Sequence, residues 1–344
     1  MSVKILLVQT AFIGDCILAT PLVSALKAIY SDSSLSILTT PVAKEFFVSN
    51  PQVEEVLTYD KRGSQSGIRG LLSVARILQD KKFDLVFSLH KSWRTAVLLY
   101  LARIPLRYGF KEAAASFLYS KTASRKGISH EVLRNMALLK TIGRKAEEFS
   151  CGLSLTIPPA ELFKAKQILG PESQTKYIAI APGSVWATKR WTVAGFSALA
   201  KGLIERGMKI VLIGGSADAQ TAGEIVRRVG SDSIINTVGQ ISLLTSAAVI
   251  SHCRALITND SAPLHIAAAT KTPIVAIFCA TVPEFGYGPW QVEHEMVQVD
   301  GLSCRPCGRH GHKDCPTGTH YCQINISERL VLDKLESLFA KEKE

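Results

Sequence analysis

The sequence predicts an α/β fold with two Rossmann-like domains, each built on a parallel sheet. Three observations support this prediction. The 344 residues are enough for two domains of ordinary size. Short β-rich runs alternate with helical patterns, which is typical of parallel sheets whose faces are covered by helices. The apolar runs KILLVQ and YIAIA each lead through a glycine-containing loop into a helix, so both halves begin in the same way.

The elements follow in order along the chain. In the first half, strands are predicted at residues 4–9, 35–40, 53–59 and 83–89, and helices near 15–29, 42–48, 68–80 and 92–102. In the second half, strands are predicted at residues 177–183, 209–215, 255–260 and 273–278, and helices near 193–206, 218–228, 263–269 and 327–341. Helices of this length between strands indicate βαβ units.

A polar stretch that contains three prolines, residues 153–176, separates the halves. We therefore predict a first domain at residues 1–165 and a second at 166–326. The last amphipathic helix, within 327–344, is predicted to pack back on the first domain. Ligands should bind beyond the carboxyl ends of the strands, in a cleft between the domains.

The composition is that of a soluble globular protein, with 47% hydrophobic and 20% charged residues. No apolar run reaches the roughly 18 residues that span a bilayer, and the N-terminus predicts a strand rather than a signal peptide, so we expect a cytoplasmic protein. The net charge of +11 is uneven: residues 1–165 hold 22 Lys and Arg against 13 Asp and Glu, and residues 166–344 hold 18 against 16. The basic half suits an anionic partner; the alternative is a solvated basic surface.

The first glycine-containing loop, QTAFIGD, places Gly14 at a turn and Asp15 at the start of a helix. It is not G-x-G-x-x-G, so a dinucleotide site is not indicated. One interpretation of Asp15 is a helix N-cap. The other is a general base that takes a proton from an incoming hydroxyl, which contributes roughly 10²–10⁴ in rate.

The second loop, APGSVWATKRW, combines the backbone N–H groups of Gly183 and Ser184 with a hydroxyl and with the charge of Lys189. That combination suits a phosphate. The alternative is a turn with a solvated basic pair.

The stretch TNDSAPLHIAAA joins a strand to a helix. Ser261 or Asp260 should cap this helix, and Pro263 suits its first turn. Because a helix N-terminus attracts anions, Ser261 and the free N–H groups are predicted to hold a diphosphate. Asp260 should contact sugar hydroxyls or Lys189 and not the phosphates, because its carboxylate would repel them. His265 can donate a hydrogen bond to a phosphate oxygen. The alternative is a well-capped helix with a packed histidine.

Four cysteines cluster in the segment CRPCGRHGHKDCPTGTHYC: Cys304, Cys307, Cys315 and Cys322. The first two form a C-x2-C pair, which is typical of zinc sites, whereas the six-residue gap between the last two is not. Structural zinc and a reduced or partly disulfide-bonded loop both remain open.

In this order, QTAFIGD, APGSVWATKRW, GGSAD and TNDSAPLHIAAA resemble the bacterial ADP-heptose:lipopolysaccharide heptosyltransferases of glycosyltransferase family 9, from Lys4 to about Ile326. The TND and PGS…KRW motifs are most similar to those of the heptosyltransferase II subfamily. The resemblance implies a GT-B fold, in which two Rossmann-like domains face each other across a cleft and the second binds the donor. It also implies an inverting, metal-independent transfer of a heptose from ADP-heptose to the lipopolysaccharide inner core.

The resemblance further implies roles for single residues, with Asp15 as the general base. The implied donor-binding residues are Gly183, Ser184, Lys189, Asp218, Ile241, Asp260, Ser261 and His265. The implied acceptor-binding residues are Lys61, Arg62, His130 and Arg134. His130 and Arg134 stand four apart, which predicts that they share one helix face. Asp218 matches only loosely, because the family pattern has Glu there.

The implied partners are an ADP-heptose donor, a lipid A–Kdo type acceptor and the inner leaflet of the cytoplasmic membrane, contacted peripherally. No cofactor is expected for catalysis. We expect no nucleic-acid partner, because no basic segment is interleaved with aromatic residues. The alternatives are transfer of another nucleotide-activated sugar and a sugar-nucleotide epimerase of the same fold.

Overall fold

The computed structural model describes residues 2–171 and 176–341. The chain divides into two compact units, Met1–Thr156 and Ile157–Glu344. Within the described residues, no helix is both long enough and apolar enough to cross a membrane.

The first unit is a six-stranded parallel sheet with helical crossovers. Its strands are β1 (Lys4–Gln9), β2 (Ser34–Thr39), β3 (Glu55–Thr58), β4 (Leu85–Ser88), β5 (Leu106–Phe110) and β6 (Lys121–Ala123). Its α-helices are α1 (Ile13–Ile17), α2 (Thr20–Ile29), α3 (Lys44–Val48), α4 (Gly67–Lys81), α5 (Trp93–Leu101) and α6 (Glu131–Met136). The apolar residues of β1 are fully buried, as expected for a central strand covered on both faces.

The second unit is built in the same way. Its strands are β7 (Tyr177–Ala181), β8 (Lys209–Leu212), β9 (Ile234–Asn236), β10 (Ala255–Asn259), β11 (Ile274–Phe278) and β12 (His294–Gln298). Its α-helices are α7 (Pro159–Leu169), α8 (Val193–Glu205), α9 (Ala219–Val229), α10 (Leu243–Ser251), α11 (Ala262–Thr270), α12 (Tyr321–Ile324) and α13 (Glu328–Lys341).

Both sheets have the same strand order. It is β3-β2-β1-β4-β5-β6 in the first unit and, read from the corresponding side, β9-β8-β7-β10-β11-β12 in the second. All neighbouring strands are parallel. This is the Rossmann order, in which the winding reverses between the first and fourth strands and a ligand binds beyond their carboxyl ends. The predicted α/β class with two Rossmann-like domains is therefore confirmed.

The domain boundary lies before α7 and not near residue 165. The reason is that α7 packs on α10 of the second unit and buries Ala165 and Leu169. The Thr245 hydroxyl also donates a hydrogen bond to Glu161 of α7. The polar stretch around α7 indicated a linker, but its apolar residues assign the helix to the second unit.

The C-terminal helix α13 exists as predicted, but its buried face belongs to the second unit. Val331 and Leu338 lie in the same apolar core as β7, β8 and α8. Glu295 of β12 forms ion pairs with two α13 residues, at 2.9 Å from Lys334 and 2.5 Å from Lys341. This packing makes α13 part of the second unit.

Candidate active site

Asp15 lies in α1, directly after the loop that leaves β1. Phe12 is the N-cap residue of this short helix, and its N–H donates to the Asp15 carboxylate at 3.2 Å. Asp15 is therefore the third residue of the helix and not its N-cap, although its carboxylate accepts a hydrogen bond from the N-cap N–H group. A second helix, α2, begins at Thr20 with Pro21 in its first turn, so the single helix predicted near residues 15–29 is divided.

The surroundings of Asp15 make it a stronger base than an ordinary carboxylate. Its pKa is raised to about 6, chiefly because burial disfavours the charged form and secondly because Glu131 repels its charge. Three groups act in the opposite direction: the Phe12 N–H, Arg125 and Lys91. A base whose pKa is near the working pH transfers protons efficiently, so the environment favours the general-base interpretation.

The predicted acceptor residues Lys61 and Arg62 lie beside this loop. The Lys61 ammonium donates to the Thr10 carbonyl, directly after β1, at 2.5 Å. The Arg62 guanidinium carbon lies 5.8 Å from the centre of the Phe12 ring. The structure therefore brings two cations, from the loop after β3, next to the loop that carries Asp15.

His90 was not predicted, although it follows β4 at the point where the sheet order reverses. Its Nδ1 lies 2.7 Å from the Thr95 hydroxyl and 3.2 Å from the Thr10 hydroxyl, and its Nε2 lies 3.4 Å from Lys61 Nζ. Burial and the charges of Lys61 and Lys91 lower its pKa to about 4. The imidazole is thus neutral at neutral pH. Its place after the strand next to β1 is the signal that would have identified it.

His130 and Arg134 both lie at the start of α6, and only Arg134 is a helical residue. His130 is the N-cap residue of α6, and its Nδ1 accepts a hydrogen bond from the Val132 N–H at 3.2 Å. The Arg134 guanidinium lies 3.3 Å from Glu131 and donates to the Ile128 carbonyl at 2.9 Å. Both side chains hold the start of α6, and their role toward an acceptor stays a prediction.

A buried ion pair between Arg125 and Glu131 adjoins this helix start. The Arg125 guanidinium carbon also lies 4.7 Å from the centre of the Phe110 ring. Neither residue belongs to a recognisable motif. Their importance comes from their charges, which shift the pKa of Asp15 in opposite directions.

In the second unit, Lys189 and Asp260 form an almost buried ion pair. The ammonium lies 2.6 Å from Asp260 Oδ2, and the side chains are only 15% and 9% exposed. The Thr281 hydroxyl donates to the same oxygen at 2.6 Å. The predicted contact between Lys189 and Asp260 is thus present, and Lys189 is not part of a solvated basic pair.

Gly183 and Asp218 lie in direct contact. A Cβ at Gly183 would stand 2.2 Å from the Asp218 carboxyl group, so this approach requires a glycine. Asp218 also accepts a hydrogen bond from the Gly215 N–H at 3.1 Å. Next to Gly183, the buried Ser184 accepts a hydrogen bond from Arg190 at its carbonyl, at 2.7 Å. The loops after β7 and β8 therefore meet.

The start of α11 differs from the prediction in one respect. Ser261 is the N-cap residue by position, but its hydroxyl donates to the Asn259 carbonyl at 3.3 Å and does not cap the helix N–H groups. His265 is buried in the first turn. Ile241 lies half-buried just before α10.

Asn259, for which no motif predicted a role, joins the end of β10 to the loop between β7 and α8. Its side-chain amide donates to the Pro182 carbonyl at 2.8 Å, and its side-chain oxygen accepts from the Trp191 N–H at 2.9 Å. It is completely buried. Asn259 thus holds both ends of the loop that carries Ser184 and Lys189 at the end of β10.

Replacing Asn259 by Leu should destabilise the protein strongly. Two buried backbone groups would lose their partners, at a cost of about 1–3 kcal/mol each. Calorimetric melting of Asn259→Leu would measure the effect, with Asn236→Leu as the control. Asn236 is half-buried, and its side-chain oxygen accepts a hydrogen bond from the Val238 N–H at 3.1 Å. Equal melting temperatures for the two variants would contradict the role of Asn259.

The four clustered cysteines are free thiols. Burial raises the pKa of Cys322 to about 11, with smaller contributions from the neighbouring Cys307, Cys315 and Cys304, whereas hydrogen bonds from Thr317 and His320 lower the pKa of Cys315 to about 6. Among residues 2–171 and 176–341, no three or more Cys, His, Asp or Glu side chains form a group that could hold a metal ion. The zinc alternative therefore has no preformed set of ligands.

Comparison with known proteins agrees with this architecture. A model of glycosyltransferase family 9 (heptosyltransferase) matches residues 71–316, which is more than half of the chain. Lipopolysaccharide heptosyltransferase 2 of Salmonella typhimurium is 25% identical, over 98% of this chain and 99% of its own. A solved structure of a family 9 glycosyltransferase from Veillonella parvula has a TM-score of 0.88 at 26% identity, with 99% of this chain and 98% of that chain covered.

A second solved structure, E. coli ADP-heptose lipopolysaccharide heptosyltransferase II, has a TM-score of 0.80 at 24% identity, with 99% of this chain and 100% of that chain covered. It shares the fold over the full length of both chains. Together with the match of the family model, this similarity identifies the chain as a glycosyltransferase and as a member of glycosyltransferase family 9, the heptosyltransferase family.

Proposed function

We propose that this glycosyltransferase moves a heptose from ADP-heptose to the lipopolysaccharide inner core, on a lipid A–Kdo type acceptor, with inversion of the anomeric centre. The observation that carries the proposal is the match along nearly the whole chain to a relative named lipopolysaccharide heptosyltransferase 2. The chemistry beyond the carboxyl ends of the strands also supports it. In the first unit, the carboxylate of Asp15 follows β1. In the second unit, the Lys189–Asp260 ion pair follows β7 and β10.

The proposed reaction is a single displacement. Asp15 accepts the proton of the acceptor hydroxyl, whose oxygen attacks C1 of the heptose from the face opposite the diphosphate. The new C1–oxygen bond forms as the bond to the diphosphate oxygen breaks, and ADP leaves with the electron pair. Lys189 and the N-terminus of α11 neutralise the charge that develops on ADP. Because a lysine supplies this positive charge, the proposal requires no catalytic metal.

The remaining residues keep their proposed roles. On the donor side these are Gly183, Ser184, Asp218, Ile241, Asp260, Ser261 and His265. On the acceptor side they are Lys61, Arg62, His130 and Arg134.

Thermal melting with ADP, UDP, GDP, CMP or NAD tests the donor. A ligand at 100 times its Kd should add about 2.7 kcal/mol to the free energy of unfolding. We expect ADP to stabilise the protein, and transfer from ADP-heptose to a Kdo–lipid A acceptor should then be detectable, with the product's anomeric configuration determined by NMR. Stabilisation by UDP or GDP instead would favour another nucleotide-activated sugar, and epimerised sugar nucleotide without transfer would favour the epimerase.

Repeating the same experiment in EDTA tests whether transfer or folding depends on a metal ion. Transfer should survive EDTA, because the proposal assigns the phosphate charge to Lys189. Loss of the folded state in EDTA would instead assign a structural zinc to the four clustered cysteines, as zinc-dependent folds lose their stability with the metal.

Transfer should fall off below about pH 6. The base must be ionised, and the pKa of Asp15 is raised from 3.8 to about 6, so kcat/KM should rise with pH through about 6 and level off above 7. Measuring kcat/KM from pH 5 to 8, with circular dichroism at each pH to monitor folding, checks this expectation. A profile that is flat down to pH 5 in a folded protein would show that Asp15 titrates near its ordinary value.

We further propose a cytoplasmic location with peripheral binding to an anionic membrane surface. Ile68, Leu72 and Trp93 are 73%, 50% and 60% exposed. A hydrogen bond of 2.7 Å from Arg94 to the Gly67 carbonyl connects the starts of α4 and α5, which carry these side chains. Exposed arginines on α4 supply the complementary charge. Sedimentation with phosphatidylglycerol vesicles should weaken in Ile68→Ser/Leu72→Ser, and unchanged binding would remove this surface from the proposal.

A further inference from the structure

The Cys-rich segment, residues 304–322, contacts the turn that carries Lys189. Thr188 is 2% exposed, and its hydroxyl donates to the His312 carbonyl at 3.1 Å and accepts from the His312 N–H at 2.8 Å. The Thr188 N–H donates to the same carbonyl at 3.2 Å. A Cβ at Gly311 would lie 3.0 Å from Lys189 Cγ, so the segment passes closely over the lysine side chain. These contacts restrict where the ammonium can lie.

Gln323, directly after the segment, holds the same turn from its two ends. Its side-chain amide donates to the Ala187 carbonyl at 3.0 Å and to the Arg190 carbonyl at 2.6 Å. These two residues flank Thr188 and Lys189. The side-chain oxygen of Gln323 lies 2.6 Å from His320 Nδ1, which orients the amide from within the segment.

The segment also holds the other member of the ion pair. Arg305 donates to the Cys279 carbonyl at 2.7 Å and to the Thr281 carbonyl at 2.8 Å, just beyond β11. Thr281 in turn donates its hydroxyl to Asp260 at 2.6 Å. Arg305 therefore fixes the backbone from which Thr281 reaches the carboxylate.

We infer that the Cys-rich segment is the scaffold of the donor site, with Thr188, Gln323 and Arg305 as positioning residues that set the place of Lys189 against Asp260. The inference rests on the proposed function, because it takes the ion pair as the diphosphate site. A protein that binds a charged ligand through fixed groups gains affinity by holding them in place beforehand. Loosening the segment should therefore weaken the binding of ADP without touching the acceptor side.

The test compares Thr188→Val with Thr272→Val. Thr272 is also buried and donates its hydroxyl to a carbonyl, that of Ile250, at 3.1 Å, but it lies before β11, at the opposite edge of the sheet. Both variants make the same chemical change. We expect similar losses of melting temperature, but a roughly threefold to tenfold rise in the Kd for ADP and in the donor KM for Thr188→Val alone. The acceptor KM should not change.

Two further variants complete the test. Thr188→Ser keeps the hydroxyl and should restore the affinity for ADP, whereas Gln323→Glu replaces the donating amide by an oxygen and should weaken it even if Thr188→Val does not fold. Equal ADP affinities in Thr188→Val, Gln323→Glu and the wild type would overturn the inference. Equal losses of ADP affinity in Thr188→Val and Thr272→Val would also overturn it. Lys189→Met distinguishes the proposed function, because unchanged ADP affinity in that variant would refute the donor site itself.

Discussion

Replacing Asp15 by Asn should lower kcat for sugar transfer by about 10²–10⁴-fold and leave the affinity for ADP unchanged. The amide has nearly the shape of the carboxylate, and its oxygen can still accept the hydrogen bond from the Phe12 N–H. It cannot take a proton from the acceptor hydroxyl. Only the chemical step should therefore be affected.

The stability of Asp15→Asn separates catalysis from structure. The pKa of Asp15 is raised from 3.8 to about 6, so the folded protein holds this proton more tightly than the unfolded chain. The resulting stability is complete below pH 3.8 and is lost as the pH rises through 6, which means that the ionised carboxylate disfavours the folded state at pH 7. Removing that charge should leave the melting temperature equal or higher.

Asp84→Asn is the matched control. Asp84 accepts a hydrogen bond from the Lys4 N–H at 2.7 Å, at the amino edge of the same sheet. Transfer by this variant should match the wild type. The base assignment would fail if Asp15→Asn kept kcat within tenfold of the wild type, or if it lost the affinity for ADP.

Replacing Lys189 by Met should lower both the affinity for ADP and the rate of transfer, by about 10²–10³-fold in kcat/KM. Removing a positioned group that stabilises charge in the transition state has effects of this size. The variant should also unfold more easily, because Asp260 would keep a buried charge without its cation; breaking such a pair costs about 3–5 kcal/mol.

The double variant Lys189→Met/Asp260→Asn separates these two effects. The double variant has no buried unpaired charge, and the amide that replaces the Asp260 carboxylate keeps an oxygen that accepts a hydrogen bond from the Thr281 hydroxyl. Most of the lost melting temperature should therefore return. ADP affinity and transfer should stay low, because the cation is still missing. If the double variant regained wild-type kcat/KM, Lys189 would be a structural residue and its role with the phosphates would be wrong. Isothermal calorimetry with ADP and steady-state kinetics supply the two measurements.

The central strands that were predicted and the four strands that were missed differ in one physical property. The central strands β1, β7, β10 and β11 are continuous apolar runs, because both faces of a parallel sheet are covered, and such runs are visible in a sequence. The four missed strands, β5, β6, β9 and β12, are short or mixed in polarity and lie at or next to a sheet edge. Their formation depends on the neighbouring strand more than on their own residues.

The sequence by itself determined the fold class and the loops that carry Asp15, Lys189 and Asp260. Continuous apolar runs specify the central strands, and the carboxyl ends of parallel strands must lie on one edge. Only the tertiary structure decided that Thr281 shares Asp260 with Lys189, that Glu131 and burial raise the pKa of Asp15, and that α7 joins the second unit. These outcomes depend on which distant residues come into contact and exclude water, and no local pattern encodes that.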